Sequence, residues 1–510
     1  MRLTLNPAQD ILAFGPEMLL CVVGIVLFGI GCVSRRRYPI AAPLVAVLGF
    51  LGSLCWTATQ IGADPKLPFL GAFAADAYTV YFRLLFGVVG ILVTLSASAF
   101  FRRREQAGYA EFFGLLVLTV FGLQIMAGAA ELITLFIAIE LVSIASYVMA
   151  GYLRTEARSS EAGLKYFLFG AAASAIMVYG LSLLYGIAGT TRLYSPDGAP
   201  LLAAALARAP MTVQPLAVIL VIAGFAFKMA VVPFHWWSPD VYEGAPTPVT
   251  AFLSVGPKAG GFALFLRLFA QGDNSLYRHW PYVMAVLAAL TMFIGNWGAI
   301  WQVSIKRMLA YSSIAHAGYL LIGVVTWNGS SWDVAAPGGM RLVHSGPTGV
   351  LFYLAAYVFM NVGAFAVAIA VQRRTGTDAI PDYAGLAQTS PYLAAGMALF
   401  LLSLAGVPPL AGFFGKYYVF SAAIRDERFF WLAVVGVINS VIALYYYMRV
   451  VMQMYFRAPK AGVAAAPPAA VPLGLRAAVA VALLATLLLG ILPDQVVRFI
   501  TASTPIGGPW

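Results

Sequence analysis

The chain has 510 residues, of which 61% are hydrophobic and only 10% are charged. Soluble domains carry about 25% charged residues, so this composition excludes an ordinary soluble protein and predicts one that lies in a membrane. The net charge of +11 does not indicate nucleic-acid binding, because the basic residues gather in alternate loops between apolar runs.

Apolar runs long enough to cross a bilayer, which takes about 20 residues, occur about fourteen times. The predicted spans are 11–34, 39–61, 76–99, 109–127, 129–152, 162–187, 211–237, 245–270, 280–301, 305–327, 347–371, 390–424, 429–456 and 475–500. The first run is too long for a signal peptide and contains Glu17, so we expect a retained helix.

Arginine and lysine residues cluster in the loops that follow odd-numbered spans, beginning with residues 35–37 and 102–104. Such loops stay in the cytoplasm, which places both termini on the outer, periplasmic side. The three cysteines and four histidines are scattered along the chain. Their spacing suits neither an iron–sulfur cluster nor a haem or zinc site, so we expect no redox centre on this chain.

Two spans contain internal proline and glycine: the seventh, with AGFAFKMAVVPFHWW, and the twelfth, with LAGVPPLAGFFGKYYVF. Broken helices are tolerated in mid-membrane where they line an enclosed or watery cavity, and a matching pair indicates inverted repeats around a midplane site. The two broken spans are five spans apart. Two repeats offset by an odd number of membrane crossings must have opposite orientations in the membrane.

These features predict an all-α, polytopic membrane protein with two inverted five-helix repeats, each with one broken helix. The repeats occupy residues 109–270 and 271–456. A three-helix segment, residues 1–108, precedes them, and a loop and a C-terminal helix follow in residues 457–510.

Several ionisable side chains lie within the apolar runs. A charge at the bilayer centre costs roughly 2.5–3.5 kcal/mol on insertion scales, so such residues indicate an ion or proton route. The candidates are Glu140, Lys165, Lys228, Lys258, His316 and Lys416. Desolvation can lower the pKa of a buried amine from about 10.4 to about 5–6, so a nearby carboxylate can switch its protonation.

Depth in the membrane favours a pair between Glu140 and Lys228, since Glu140 lies about 18 Å from the cytoplasmic end of its helix. The alternative for Glu140 is a structural hydrogen bond to a neighbouring helix. Lys165 is near the cytoplasmic mouth and could equally snorkel to the surface. His316 could relay protons or be a hydrogen-bonded core histidine. Arg267 and Arg449, near helix ends, are expected to snorkel, and Arg83 is given no role.

Hydroxyl groups in the fifth and tenth spans are expected, together with water, to link the ionisable groups. These residues are Ser143, Ser146, Tyr147, Ser312, Ser313 and Tyr319.

The segment KMAVVPFHWWSPDVYEGAPTPVTAFLSVGPKAGGFALFLR resembles the signature segment of the antiporter-like subunits of respiratory complex I. The segments LFIAIELVSIASYVMAGY and KRMLAYSSIAHAGYLLIG are also similar to this family, and the likeness covers nearly the whole chain. Lys416 in the twelfth span, and an end after about fourteen helices, resemble the N-type members.

The resemblance implies a proton-translocating subunit of an NADH:quinone oxidoreductase in the bacterial inner membrane. Glu140, Lys228, Lys258 and Lys416 would then be its proton-path residues, and Lys165 a further lysine on the cytoplasmic side. FMN, iron–sulfur clusters and quinone would be used elsewhere in the complex, with no cofactor on this chain. The implied partners are other membrane subunits of the complex, lipid and protons, and no nucleic acid.

Three alternatives remain open. An Mrp-type cation/proton antiporter subunit shares the architecture, and a transporter of an organic solute would have a more varied polar site. In a passive assembly subunit, the buried charges would only hold helices together.

Overall fold

The chain forms an all-α structure, as predicted. The computed structural model describes residues 7–33, 41–102, 109–195, 198–208, 213–269, 280–327, 345–459 and 471–503. Within these residues the secondary structure is helical, with only isolated bridges between loop residues in place of strands.

The helices are numbered here in chain order. Those before the middle of the chain are α1 (Pro7–Ala13), α2 (Gly15–Val33), α3 (Ala41–Ala58), α4 (Pro68–Gly71), α5 (Ala77–Arg102), α6 (Tyr109–Gly128), α7 (Leu132–Ala150), α8 (Ala157–Ala188), α9 (Leu201–Ala207), α10 (Gln214–Met229), α11 (Trp237–Gly244) and α12 (Thr247–Phe269). Those after it are α13 (Trp280–Ile300), α14 (Ile305–Val325), α15 (Gly346–Thr375), α16 (Leu386–Thr389), α17 (Pro391–Ala405), α18 (Ala411–Arg425), α19 (Phe430–Phe456), α20 (Leu473–Ile491) and α21 (Pro493–Ala502).

Twelve of the described helices are long and apolar enough to cross a membrane. The other two predicted spans, the seventh and the twelfth, correspond to the shorter apolar helices α10 and α17. Each ends at a left-handed residue, Ala230 with φ 56° and Gly406 with φ 92°. The chain resumes as α11 and α18, so the prediction of fourteen spans with two broken helices is confirmed.

The same pairs of helices pack together in the two predicted repeats. In the first, α6 contacts α7 and α12, and α8 contacts both α10 and α11. In the second, α13 contacts α14 and α19, and α15 contacts both α17 and α18. This agreement supports the repeats, whose boundaries at 109–270 and 271–456 stay a prediction. Helices α12, α14 and α15 lie at the centre of the bundle, almost entirely buried.

Two arginine–carboxylate pairs attach the N-terminal helices. Arg83 of α5 lies 2.6 Å from Glu17 of α2, and both side chains are fully buried. Arg267 at the end of α12 lies 2.9 Å from Asp76, which precedes α5. The expectation that Arg267 snorkels is wrong: it is 1% exposed, because Asp76 and the Ala127 carbonyl satisfy its guanidinium inside the protein.

Arg449 is half-buried, and the expectation that it snorkels stays a prediction. Its guanidinium donates to the backbone carbonyls of Ile300, at 2.7 Å, and Gln302. These carbonyls lie at and just beyond the carboxyl end of α13, where backbone acceptors lack helical partners and attract a cation.

We expect Glu17→Gln to destabilise the protein by about 3–5 kcal/mol, because it leaves the buried Arg83 cation without its anion. The thermal unfolding temperature of the purified protein in detergent measures this. The matched control is the double variant Glu17→Leu with Arg83→Met, which removes both charges and should unfold at a higher temperature than Glu17→Gln alone. The reverse order would contradict the assignment.

Candidate functional site

The first buried amine is that of Lys228, in the last turn of α10. The residue is 3% exposed, and its Nζ donates to the Ser143 hydroxyl on α7 at 2.8 Å. Its aliphatic stem lies beside Gly261 of α12, where an added Cβ would be 3.5 Å from the Lys228 Cβ. The break after α10 thus leaves this amine at a junction of α7, α10 and α12.

Among the described side chains, Glu140 and Lys228 do not form the expected direct pair. The Glu140 carboxylate instead accepts a hydrogen bond from the Ser174 hydroxyl on α8. Glu140 and Ser143 are one turn apart on α7, or about 5–6 Å between their Cβ atoms. Glu140 is therefore one turn of α7 away from the Ser143 partner of Lys228. Depth alone could not show which face of α7 each residue occupies.

Lys258, in the middle of α12, is 1% exposed. Its Nζ donates to the Ser313 backbone carbonyl of α14 at 2.5 Å and also to the Ser313 hydroxyl. Ser313, His316 and Tyr319 are spaced three residues apart on α14 and therefore lie on the same side of the helix. This side of α14 leads from Lys258 into the second half of the chain.

His316 lies 1% exposed among hydroxyl groups. Its Nδ1 is 2.6 Å from the Tyr353 hydroxyl, and its Nε2 is 3.2 Å from the Tyr447 hydroxyl. The Tyr447 hydroxyl also bonds to Ser312. Both ring nitrogens thus have partners able to give or accept a proton. Sequence analysis missed Tyr353 and Tyr447, because a tyrosine in an apolar helix carries no distinguishing signal.

A second buried polar cluster begins at Tyr319. The Asn296 amide donates to the Tyr319 hydroxyl at 3.1 Å and to the Asn439 side-chain oxygen at 3.0 Å, and Tyr446 donates to Asn296 at 3.1 Å. The Tyr446 and Tyr447 rings are in contact, with centroids 4.4 Å apart, so the clusters around His316 and Tyr319 meet on α19. Sequence analysis missed these asparagines.

Lys416, in α18, is 5% exposed. Its Nζ donates to the Ala405 carbonyl at 2.8 Å and lies 4.6 Å from the centroid of the Tyr319 ring. Ala405 is the last residue of α17, so the ammonium lies at the negative end of a helix dipole, and the aromatic face adds a cation–π attraction. The break between α17 and α18 supplies the carbonyl group that stabilises the cation.

The three amines thus follow one another through the interior. Lys258 and Gly261, which contacts Lys228, are about 4.5 Å apart along α12, and Ser313 and Tyr319 are about 9 Å apart along α14. The Ser146 and Tyr357 hydroxyls are buried without a partner among the described residues. Buried polar atoms of this kind are where proteins bind internal water, so hydroxyl groups and water can bridge these intervals.

Lys165 is not part of this buried row. Its Nζ lies 2.7 Å from Asp240 and 2.8 Å from Glu161, with 38% of the side chain exposed. Arg307 of α14 pairs with the other Asp240 oxygen at 2.8 Å and with Glu243 at 2.7 Å. These residues line a cleft of about 250 Å³. Sequence analysis placed Lys165 near the cytoplasmic mouth of the proton path. It missed Asp240, in the segment SPDVYEG, and Arg307, which also pairs with Asp240.

Asp240 lies between the seventh and eighth predicted spans. Burial would raise the pKa of its carboxyl group, but the hydrogen bonds and charges of Lys165 and Arg307 outweigh burial and hold that pKa below its usual range. The carboxylate therefore stays ionised at neutral pH. Among the described residues, no group of three or more His, Cys, Asp or Glu side chains is arranged to hold a metal ion.

Comparison with known proteins identifies close relatives. Residues 129–443 match the family model described as "NADH:quinone oxidoreductase/Mrp antiporter, TM". The chain is 44% identical over 489 residues to NADH-quinone oxidoreductase subunit N of Heliobacterium modesticaldum, covering 96% of this chain and 97% of that one. It is 43% identical over 445 residues to the subunit N of Rhodospirillum rubrum, covering 86% and 87%.

Solved structures give the same fold. A chain of respiratory complex I from Thermus thermophilus matches with a TM-score of 0.77 and 30% identity, over 96% of this chain and 99% of that one. A chain of the Mrp complex from Dietzia matches with a TM-score of 0.79 over 98% and 97%, but at 21% identity it shows the fold alone. The resemblance read from the sequence is confirmed.

Gly412 lets α18 pack against α17 beside Lys416, since an added Cβ would lie 1.8 Å from the Ser403 carbonyl oxygen. We expect Gly412→Ala to force these two helices apart and destabilise the protein by about 1–3 kcal/mol, measured as thermal unfolding in detergent. Gly186→Ala on α8 is the matched control, because nothing lies within 4 Å of its added Cβ. Equal stability of the two variants would contradict this packing.

Proposed function

Since the chain belongs to the NADH:quinone oxidoreductase/Mrp antiporter family, we propose that it moves protons across the membrane as a subunit of an NADH:quinone oxidoreductase. The identity of about 40% to subunits of that name over most of the chain supports this enzyme. The observation that carries the proton-moving role is the row of three buried amines, Lys228, Lys258 and Lys416, bonded to hydroxyls and carbonyls.

The type of partner explains why these amines suit a relay. A lysine paired directly with a carboxylate, as Lys165 is with Asp240, holds its proton firmly. A hydroxyl or carbonyl partner stabilises an ammonium group only in part, and burial opposes the charge. Such an amine can release its proton when a nearby charge changes. In this chain the neighbouring charge is Glu140, one turn from the Ser143 partner of Lys228.

We infer the following sequence of proton transfers. A proton enters from the Lys165 mouth and is held at Lys228 while Glu140 is negative. When Glu140 loses its negative charge, the proton moves from Lys228 to Lys258. It then passes along Ser313 and His316 to Lys416 and leaves on the outer side. Moving a charge through 100 mV takes about 2.3 kcal/mol, and one pKa unit is worth about 1.4 kcal/mol. Shifts of about two units in proton affinity are therefore sufficient.

The energy would come from redox chemistry on other subunits. FMN, iron–sulfur clusters and quinone would be bound there and would carry electrons from NADH to the quinone. This chain would contribute the buried ionisable groups, the hydroxyl links between them and the helix ends that stabilise a cation.

The partners are other membrane subunits of the same complex, and Glu140 marks one docking face. Glu140 is half-buried, and its neighbours on α7, Ile137 and Ile144, are 60% and 59% exposed. A carboxylate facing lipid at this depth would be costly. A neighbouring subunit that covers this face, with a polar group near Glu140, would remove that cost, while lipid covers the remaining exposed apolar faces.

An Mrp-type antiporter subunit is the alternative. It would have the same fold and the same buried amines, but no electron carriers in its complex. Purification of the intact complex distinguishes them: FMN and iron–sulfur subunits that co-purify with this chain support the proposal, and their consistent absence from an active complex would favour the antiporter.

We propose that the chain lies in the bacterial inner membrane with both termini on the outer side. In a variant lacking the natural cysteines, Lys66→Cys should then react with a thiol reagent that cannot cross the inner membrane. The reagent is added to cells whose outer membrane is permeabilised and whose inner membrane is intact. Thr155→Cys, in the loop between α7 and α8, should react only after the inner membrane is opened. Both side chains are exposed. The opposite labelling pattern would reverse the topology.

Replacing a buried amine should interrupt the relay. We expect Lys228→Met and Lys416→Met to reduce NADH-driven proton pumping by about tenfold or more, since a positioned proton-transfer group typically contributes at least about 10²-fold. Proton uptake is measured against NADH oxidation with the complex reconstituted in vesicles, after its assembly has been verified. Lys66→Met, which removes an exposed lysine, is the control. Normal proton-to-electron ratios in both buried variants would contradict the proposed function.

A further inference from the structure

The short helix α11 joins the cleft beside Lys165 to the end of α10, which carries Lys228. At its first residue, the Trp237 indole Nε1 donates to the Phe227 carbonyl at 3.1 Å. Phe227 directly precedes Lys228, and its carbonyl is one of the terminal acceptors of α10. A movement of α11 would therefore move the carboxyl end of α10 and the Lys228 amine with it.

Two adjacent residues of α8 hold the first turn of α11. Lys165 forms its ion pair with Asp240 in the first turn. Tyr166 is stacked on Trp237, with ring centroids 4.3 Å apart and planes 8° apart. At the other end of α11 the backbone approaches α8 closely, since a Cβ added to Gly244 would lie 2.4 Å from the Arg158 carbonyl oxygen.

The first turn of α14, in the second predicted repeat, holds α11 from the opposite side. Arg307 reaches both Asp240 and Glu243. Lys306 donates to the Glu243 and Ala245 carbonyls at 2.6 and 2.7 Å. The same α14 carries Ser313, the partner of Lys258, less than two turns further along. Asp240 is thus the carboxylate that α8 and α14 share.

We propose that Asp240 is a positioning residue for proton transfer: it clamps α11 between α8 and α14 and so fixes Lys228 relative to Lys258. The inference rests on the proposed function, and it assigns Asp240 no proton of its own to carry. Because one Asp240 oxygen faces Lys165 and the other faces Arg307, removing this carboxylate breaks the ion pair with α8 and one of the two ion pairs with Arg307 of α14.

The clamp positions α11 but contributes little to folding. Exposed ion pairs contribute only about 0–1 kcal/mol each, and these side chains are 30–38% exposed. The fold is held by the buried core of α12, α14 and α15, so loss of Asp240 should leave the complex assembled. It should change the distance over which a proton must be transferred.

The test uses Asp240→Asn in the intact complex, reconstituted in vesicles. We expect NADH-driven proton uptake to slow by about three- to tenfold, because the residues of one ion-pair network are energetically coupled. Hydrogen exchange of the α11 backbone should quicken in the same variant. Asp240→Glu, which keeps the carboxylate, should restore most of both. The double variant Asp240→Asn with Arg307→Gln should be at least as slow as Asp240→Asn alone, since Arg307→Gln also breaks the pair with Glu243.

Asp64→Asn is the control. Asp64 is an exposed carboxylate in the loop between α3 and α4, so its loss leaves the clamp intact and should change neither measurement. Normal proton uptake in Asp240→Asn would overturn the inference, and so would slower uptake with unchanged exchange in α11. Neither result affects the proposed function, which fails if Lys228→Met and Lys416→Met both pump protons at the normal ratio to NADH oxidation.

Discussion

The structure depends on one constraint: three ammonium groups lie inside a membrane protein, hydrogen-bonded to hydroxyls and backbone carbonyls. A buried charge is tolerated only when its surroundings compensate it. Lys228 has Ser143, Lys258 has Ser313, and Lys416 has the Ala405 carbonyl and the Tyr319 ring. The compensation is partial in each case, which distinguishes these lysines from the fully paired arginines Arg83 and Arg267.

The two broken helices follow from the same constraint. A helix that ends in mid-membrane has carbonyls without helical partners, which a cation can bind. Ending α17 at Ala405 supplies the carbonyl that binds Lys416, and ending α10 at Met229 leaves Lys228 in a terminal turn. The breaks also produce α11, a separate short helix that neighbouring helices can hold or release.

Much of this could be predicted from the sequence, because its signals are local. Runs of apolar residues gave the spans, Pro and Gly gave the two broken helices, and lysines within apolar runs gave the buried amines. The remaining features depend on which helix faces point at each other. Depth suggested that Glu140 and Lys228 pair, but Ser143 and Ser174 take those contacts. Arg267 looked like a residue near a helix end, and only the fold shows that Asp76 meets it there.

The roles of the clusters were harder to predict for a related reason. Tyrosine and asparagine residues in membrane helices are common, so Tyr353, Tyr447 and Asn296 attracted no notice until the fold placed them around His316 and Tyr319. Asp240 and Glu243 lie in a short polar stretch that reads as a loop. This stretch forms α11, which packs against α14. It therefore connects the first predicted repeat with the second.

The most direct test of the account is the Lys258→Gln variant of the intact complex, with NADH oxidation and proton uptake measured together in vesicles. Glutamine can still donate a hydrogen bond toward Ser313 but cannot carry a proton, so it separates the two roles of this residue. The account predicts an assembled complex whose proton pumping is largely lost. An assembled complex that pumps protons at the normal ratio to NADH would contradict it.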